Sequence, residues 1–172
     1  YLSGNVRAKL RVAQTAAESD PSFAVNVEAL QAAQPKDLDA SEIDVRLGTT
    51  WVDKAYIQRF MIELLGIPYY EQRRIHVNYA PQTAEWSIDG KSLLSENVSN
   101  HMKYGTRRAP ALKILEDTLN LRETRVYDVV QDENGREKRE LNQKETTIAQ
   151  QKQQAIKDAF HDWVWKDPTR RH

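Results

Sequence analysis

Lysine and arginine gather at two places in the C-terminal half of this chain. Lys103, Arg107, Arg108 and Lys113 surround a turn and the start of one expected helix, and Arg136, Lys138 and Arg139 follow along one arm of an expected hairpin. Cationic side chains beside the free N–H groups of a first helical turn meet phosphate together. A basic hairpin tracks a neighbouring nucleic-acid backbone. The chemistry these residues offer is binding, and DNA is the ligand it suits. Acidic neighbours dilute the field, with Glu116 and Asp117 later on the same helix and Glu133, Glu137 and Glu140 interleaving the hairpin. The same pattern also suits a solvated helix face and a charged edge strand that resists sheet aggregation.

Strings that resemble catalytic motifs fail on inspection. Gly90-Lys91-Ser92 sits between an expected strand and an expected helix, but the upstream glycine of a phosphate-binding loop is replaced by Glu85, whose charge repels phosphate. No Glu is followed two places later by Lys, so the metal-binding triplet of restriction-type nucleases is missing. His76, His101, His161 and His172 show no i, i+4 pairing that would hold zinc. Asp37, Asp39, Glu42 and Asp44 cluster in a loop without the glycine and terminal glutamate of an EF-hand. Asn78-Tyr79-Ala80-Pro81 is not the target-base loop of an adenine methylase. The expectation is a non-enzymatic chain with no catalytic residue, no metal and no cofactor. Two aromatic groups, Tyr69-Tyr70 beside Arg73-Arg74 and Trp163 with Trp165, are candidates for base stacking or for the core, and the core is the better reading.

The elements that must position these residues follow from periodicity. Asn5 caps a helix with Val6, Leu10, Ala13 and Ala17 on one face, ended by Asp20-Pro21, and a second helix carrying Phe23, Val27 and Leu30 closes at Pro35. Residues 35–50 read as irregular, with only Ile43, Val45 and Leu47 alternating. An Asp53 cap and Gly66 bound a third helix whose broad apolar set marks it as central and buried. Ile75, Val77 and Tyr79, then Ala84, Trp86 and Ile88, form a hairpin with one buried face.

From Ser95 to Leu141 the order is a helix over Leu93 to His101, a turn on Gly105, a helix opening with Arg107 and Arg108 and capped by Thr106, and a hairpin turning at Asp132-Glu133-Asn134-Gly135. That is the order of a winged helix-turn-helix. Asn142 with Glu145 forms a capping box for a helix of about 25 residues, roughly 37 Å, with the look of a connector. The fold class is α+β, mostly helical with two β-hairpins. Its parts are a helical segment (1–66), hairpins plus a helix-turn-helix-like segment (67–141) and a connecting helix (142–166).

Bulk composition excludes broad classes. Twenty-five basic residues balance twenty-five acidic ones, so no global field draws the chain to DNA or to an acidic membrane, and any binding must come from local clusters. Cysteine is absent, which removes disulfides and thiolate chemistry and suits a cytoplasmic setting. The longest apolar stretches are broken by charge, so no membrane span is expected. A first residue of Tyr1 and an ending at Thr169-Arg170-Arg171-His172 read as a piece of a longer protein.

Several strings carry a resemblance: Tyr1-Leu2-Ser3-Gly4-Asn5-Val6-Arg7, Val25-Asn26-Val27-Glu28-Ala29-Leu30, Ser41-Glu42-Ile43-Asp44-Val45-Arg46-Leu47-Gly48, Lys113-Ile114-Leu115-Glu116-Asp117-Thr118-Leu119-Asn120-Leu121 and Trp165-Lys166-Asp167-Pro168. Over its whole length the chain resembles a segment of large phage and conjugative-element proteins. Those proteins join an N-6 adenine DNA methylase region to a superfamily-two ATP-dependent helicase, and the segment lies just before the helicase core. The resemblance implies an accessory domain whose partners are DNA and the flanking methylase and helicase domains. It transfers no catalytic residue, because the motifs that hold them lie outside this segment.

Overall fold

A computed structural model describes residues 5–34 and 45–167, which divide into two compact units, residues 1–43 and 44–172. In the first, α1 (Val6–Ser19) and α2 (Ala24–Ala32) lie on either side of a single 3-10 turn, Pro21–Phe23. The Asn5 side chain accepts the Ala8 N–H at 3.0 Å, as its N-cap role requires. Asp20 ends α1 and starts the turn, accepting the Ser22 N–H at 2.9 Å. Ala13 and Leu30 are buried, whereas Phe23, expected on an apolar stripe, is exposed.

The second unit is built on three helices. α3 (Lys54–Leu65) starts where Asp53 accepts the Ala55 N–H at 2.7 Å and stops at Gly66, whose φ of 59° is the left-handed cap position. Although sequence groups it with the helices before it, α3 belongs to this unit. After it come a one-turn helix, α4 (Tyr69–Gln72), and the hairpin of β1 (His76–Ala80) and β2 (Glu85–Asp89), paired Val77 to Ile88 and Tyr79 to Trp86. Both edges of this hairpin are closed by side chains. Gln58 of α3 donates to the Ile75 carbonyl at 2.6 Å and accepts the Val77 N–H at 2.7 Å. On the other edge, Glu116 accepts from Ile88 N–H and Asn120 bonds both backbone groups of Trp86.

The helix expected over Leu93 to His101 is replaced by a 3-10 turn, Lys91–Leu94, and a π-helix, Ser99–Lys103. Asparagine side chains take the bonds that an α-helix would keep in its backbone. Asn97 accepts the Asn100 N–H at 2.9 Å and reaches the Leu65 carbonyl, while the buried Asn100 bonds the Leu94 carbonyl and the Leu112 N–H.

Next, α5 (Ala111–Leu119) begins at Pro110, not at Arg107 or Arg108. Thr106 accepts the Ala109 N–H and so shapes the preceding loop instead of capping the helix. Leu112, Leu115 and Leu119 are buried together as their spacing predicts, but Ala111, Ile114 and Thr118 are buried too. None of the nine residues of α5 is exposed. A recognition helix must offer one face to a groove, so the helix-turn-helix reading is corrected here: α5 is the centre of the core.

The second hairpin, β3 (Tyr127–Gln131) with β4 (Glu137–Leu141), forms around the expected turn and pairs Tyr127 with Leu141 and Gln131 with Glu137. Only Asn142 separates it from α6 (Gln143–Lys166). Asn142 accepts the Glu145 N–H at 3.0 Å, but its own N–H goes to the Val126 carbonyl, so the capping box is not reciprocal. The buried line along α6 is Thr146, Ala149, Gln153, Ile156, Phe160 and Trp163. Two of these are polar and stitch the segment before β3 in place. Thr146 bonds both backbone groups of Val126, and Gln153 bonds Thr118, Arg122 and Thr124. At the far end Phe60, Phe160 and Trp163 stack edge to face and face to face, and Trp163 donates to Glu63 at 2.6 Å. Trp163 is therefore a core residue. Of the alternating set Ile43, Val45 and Leu47, the first lies outside the described residues and the others are not in a strand.

Candidate nucleic-acid interface

The hairpin of β3 and β4 is exposed on both faces, with only Asp128 and Val130 half-buried. Its turn is self-supporting: Asp132 accepts the N–H groups of Asn134 and Arg136, and Gly135 takes a φ of 74° that suits glycine. Alternation along the strands sorts its side chains. Tyr127, Val129, Arg139 and Leu141 share one face, while Asp128, Val130, Lys138 and Glu140 share the other. Arg139 and Lys138 thus point to opposite sides. Arg136 lies at the turn, about 17 Å along the strand from Leu141.

The loop before α5 meets the base of this hairpin. Arg108 holds the Asp128 carboxylate through one guanidinium nitrogen and donates to the Tyr127 carbonyl at 2.7 Å through another. The second Asp128 oxygen accepts from the Asn142 side chain at 2.8 Å. One carboxylate therefore joins the loop, the ribbon and the first turn of α6. Arg108 acts first as a strut. Arg107 is exposed. It lines, with Arg108, His101, Met102, Glu145 and Lys152, a groove of about 450 Å³.

Lys152 on α6 donates to the carbonyls of Met102 and Lys103, which end the π-helix. Lys103 is exposed, its ammonium 5.0 Å from the Tyr104 ring centre. Lys113 is half-buried, 3.5 Å from the Arg125 carbonyl just before β3. The structure thus brings Arg107, Arg108 and Lys113 to the base of the ribbon, leaves Lys103 on the Tyr104 ring, and leaves Arg136, Lys138 and Arg139 farther along the ribbon. Lys152, which no basic cluster in the sequence includes, joins the first group. Lys152 lies on the expected connector helix, 44 residues beyond Arg108, and no local pattern marks it.

The Arg108 guanidinium, then the Asn142 amide, hold the Asp128 carboxyl below its ordinary value of 3.8. A depressed folded value means that the tether is in place above the unfolded pKa and is lost as pH falls through the folded one. Carboxyl NMR of Asp128 should titrate below 3.8, with the Tyr127 amide loosening in the same acid range. An ordinary or raised value would rule the strut out.

Among the described residues no group of three acidic or histidine side chains is placed to hold a metal ion, and no helix is long and apolar enough to cross a membrane. The cluster Asp37, Asp39, Glu42 and Asp44 lies outside the described residues. A family model described as a domain of unknown function, DUF8437, matches residues 46–172, and the chain belongs to that family. No curated protein and no solved structure matches the chain.

Proposed function

We propose that this DUF8437 chain is a non-catalytic domain that contacts duplex DNA and couples that contact to neighbouring domains. The observation that carries the reading is a groove lined by Arg107, Arg108 and Lys152 at the base of a ribbon exposed on both faces. With α5 buried, the ribbon is the element left to approach a groove, and a major groove about 12 Å wide accepts a two-stranded ribbon. In this reading Arg107 and Lys103 meet phosphate directly, Arg108 sets the ribbon's angle, and Arg136, Lys138 and Arg139 track the backbone beyond. α6, about 36 Å long, carries displacement of the ribbon to the aromatic cluster at Trp163. The resemblance to methylase and helicase proteins supplies the partners, the flanking domains of one longer chain. A cytoplasmic setting is supported by the cysteine-free composition.

Gel-shift titration of the chain against duplex DNA tests this. Arg107→Ala is expected to weaken binding about tenfold and to lower the salt slope by about one. No shift at about 50 mM salt with the unaltered chain would end the reading.

A second reading, a protein-docking scaffold without DNA contact, has its own support. Asp128, Asp132, Glu133, Glu137 and Glu140 outnumber the ribbon's cations, and Tyr127, Val129 and Leu141 are exposed on one face. Binding to a flanking domain that survives Arg107→Ala, with no DNA shift, would favour it.

A further inference from the structure

We infer that α4 and the turn after it form a separate surface for single-stranded nucleic acid, with Tyr69 and Tyr70 as stacking rings and Arg73 and Arg74 as phosphate contacts. The two tyrosines are 72% and 75% exposed. Two adjacent rings this bare leave large flat faces free to stack. The backbone that carries them is tied down. Ile67 before them and Ile75 after them are buried, and Pro68 opens the turn. The Pro68 carbonyl accepts the N–H groups of Glu71 and Gln72, and the Gln72 side chain closes back onto the Ile67 carbonyl at 2.8 Å. The rings are thus presented on a fixed platform, which lowers the entropy lost on binding.

The neighbours indicate what covers them. The Arg73 guanidinium sits 5.6 Å from the Tyr69 ring centre and donates to its hydroxyl at 3.3 Å. The adjacent Arg74 is exposed, and His76 is anchored through the Arg73 carbonyl. From Tyr69 to His76 the only acid is the half-buried Glu71, and the aliphatic Ile75 is buried. Protein-binding hot spots also use Tyr and Arg, but they lie in well-packed pockets that exclude water. Here both rings are open to solvent, one has a guanidinium against it and a second arginine follows, so charge complementarity favours a polyanion with flat faces. A duplex hides its base faces inside the stack, whereas unpaired bases expose them to rings and guanidinium planes. The surface therefore selects single strands. It does not rest on the duplex reading, which uses other residues.

The test is fluorescence anisotropy of a labelled oligothymidylate of about ten nucleotides, titrated with the whole chain at low salt. Tyr69→Ala with Tyr70→Ala is expected to weaken binding at least about tenfold, while the paired Phe substitutions keep it within about twofold, since stacking needs the ring and not the hydroxyl. Arg73→Ala with Arg74→Ala should weaken binding and flatten its salt dependence. All four side chains are exposed, so unchanged thermal melting will accompany these losses. Arg107→Ala should leave the single-strand affinity alone, which keeps failure of the duplex reading distinct. Three results would overturn the inference: no binding by the unaltered chain, full binding by the double Ala variant, or displacement by polyglutamate as effective as by unlabelled oligothymidylate. The last would make the surface a general anion site.

Discussion

Gly105→Ala is expected to destabilise the chain by about 3 kcal/mol, the upper end of what overpacking costs, and to abolish the proposed duplex contact with it. A methyl group at this position would lie 2.2 Å from the Asn100 carbonyl oxygen, 2.4 Å from the Ala111 nitrogen and 2.8 Å from the Pro110 carbonyl carbon. All three are backbone atoms, so no side chain can swing aside to make room. Relief requires the first turn of α5 to move off the π-helix. That movement would break the bond by which Asn100 satisfies the Leu112 N–H and would carry Arg107 and Arg108 out of register with the ribbon. Urea denaturation measures the stability loss and a gel shift measures the binding loss. A variant within about 0.5 kcal/mol of the parent would show that the backbone there yields freely.

Phe160→Ala is expected to cost about 4 kcal/mol. Phe160 is 2% exposed, and its ring centre lies 5.0 Å from that of Phe60 and 6.2 Å from that of Trp163. Removing it deletes the joint through which α6 grips α3 and leaves a void that two large rings cannot refill without leaving their own rotamers. The loss should appear in denaturant midpoint with little change in the proposed DNA contacts, which lie toward the other end of α6. A cost under about 1.5 kcal/mol would mean that the site collapses around the gap and that the aromatic cluster is not a rigid anchor.

How much of this was readable beforehand depends on whether a bond is local. Asn5, Asp53 and Gly66 act within a few residues of themselves, and each bounds its helix as its residue type dictates. Both hairpins form where alternation and turn residues place them, since those are short-range signals, although Ala84, expected in the first hairpin's second strand, lies exposed in its turn. The helix that periodicity suggests over Leu93 to His101 does not form because Asn97 and Asn100 bond to Leu65 and Leu112, outside the segment. The full burial of α5 was equally hidden. Lys113, Glu116 and Asp117 look like a solvated face, yet Lys91 pairs with Glu116 and Thr124 donates to Asp117. On α6, Thr146 and Gln153 occupy buried positions for their hydrogen-bonding groups, which no hydrophobic pattern reveals. Tyr69 and Tyr70 show the converse, since two aromatics that composition alone would send inward lie outside.

The route of the chain from β4 into α6 has a mechanical consequence. With one residue between them, and that residue tied to Val126 and Asp128 as well as to Glu145, the ribbon has no swivel of its own. The far end of α6 is locked as well, by the rings of Phe60 and Phe160 and the bond from Trp163 to Glu63. A push on the ribbon would therefore be felt as strain in the core and not as a bend at its root.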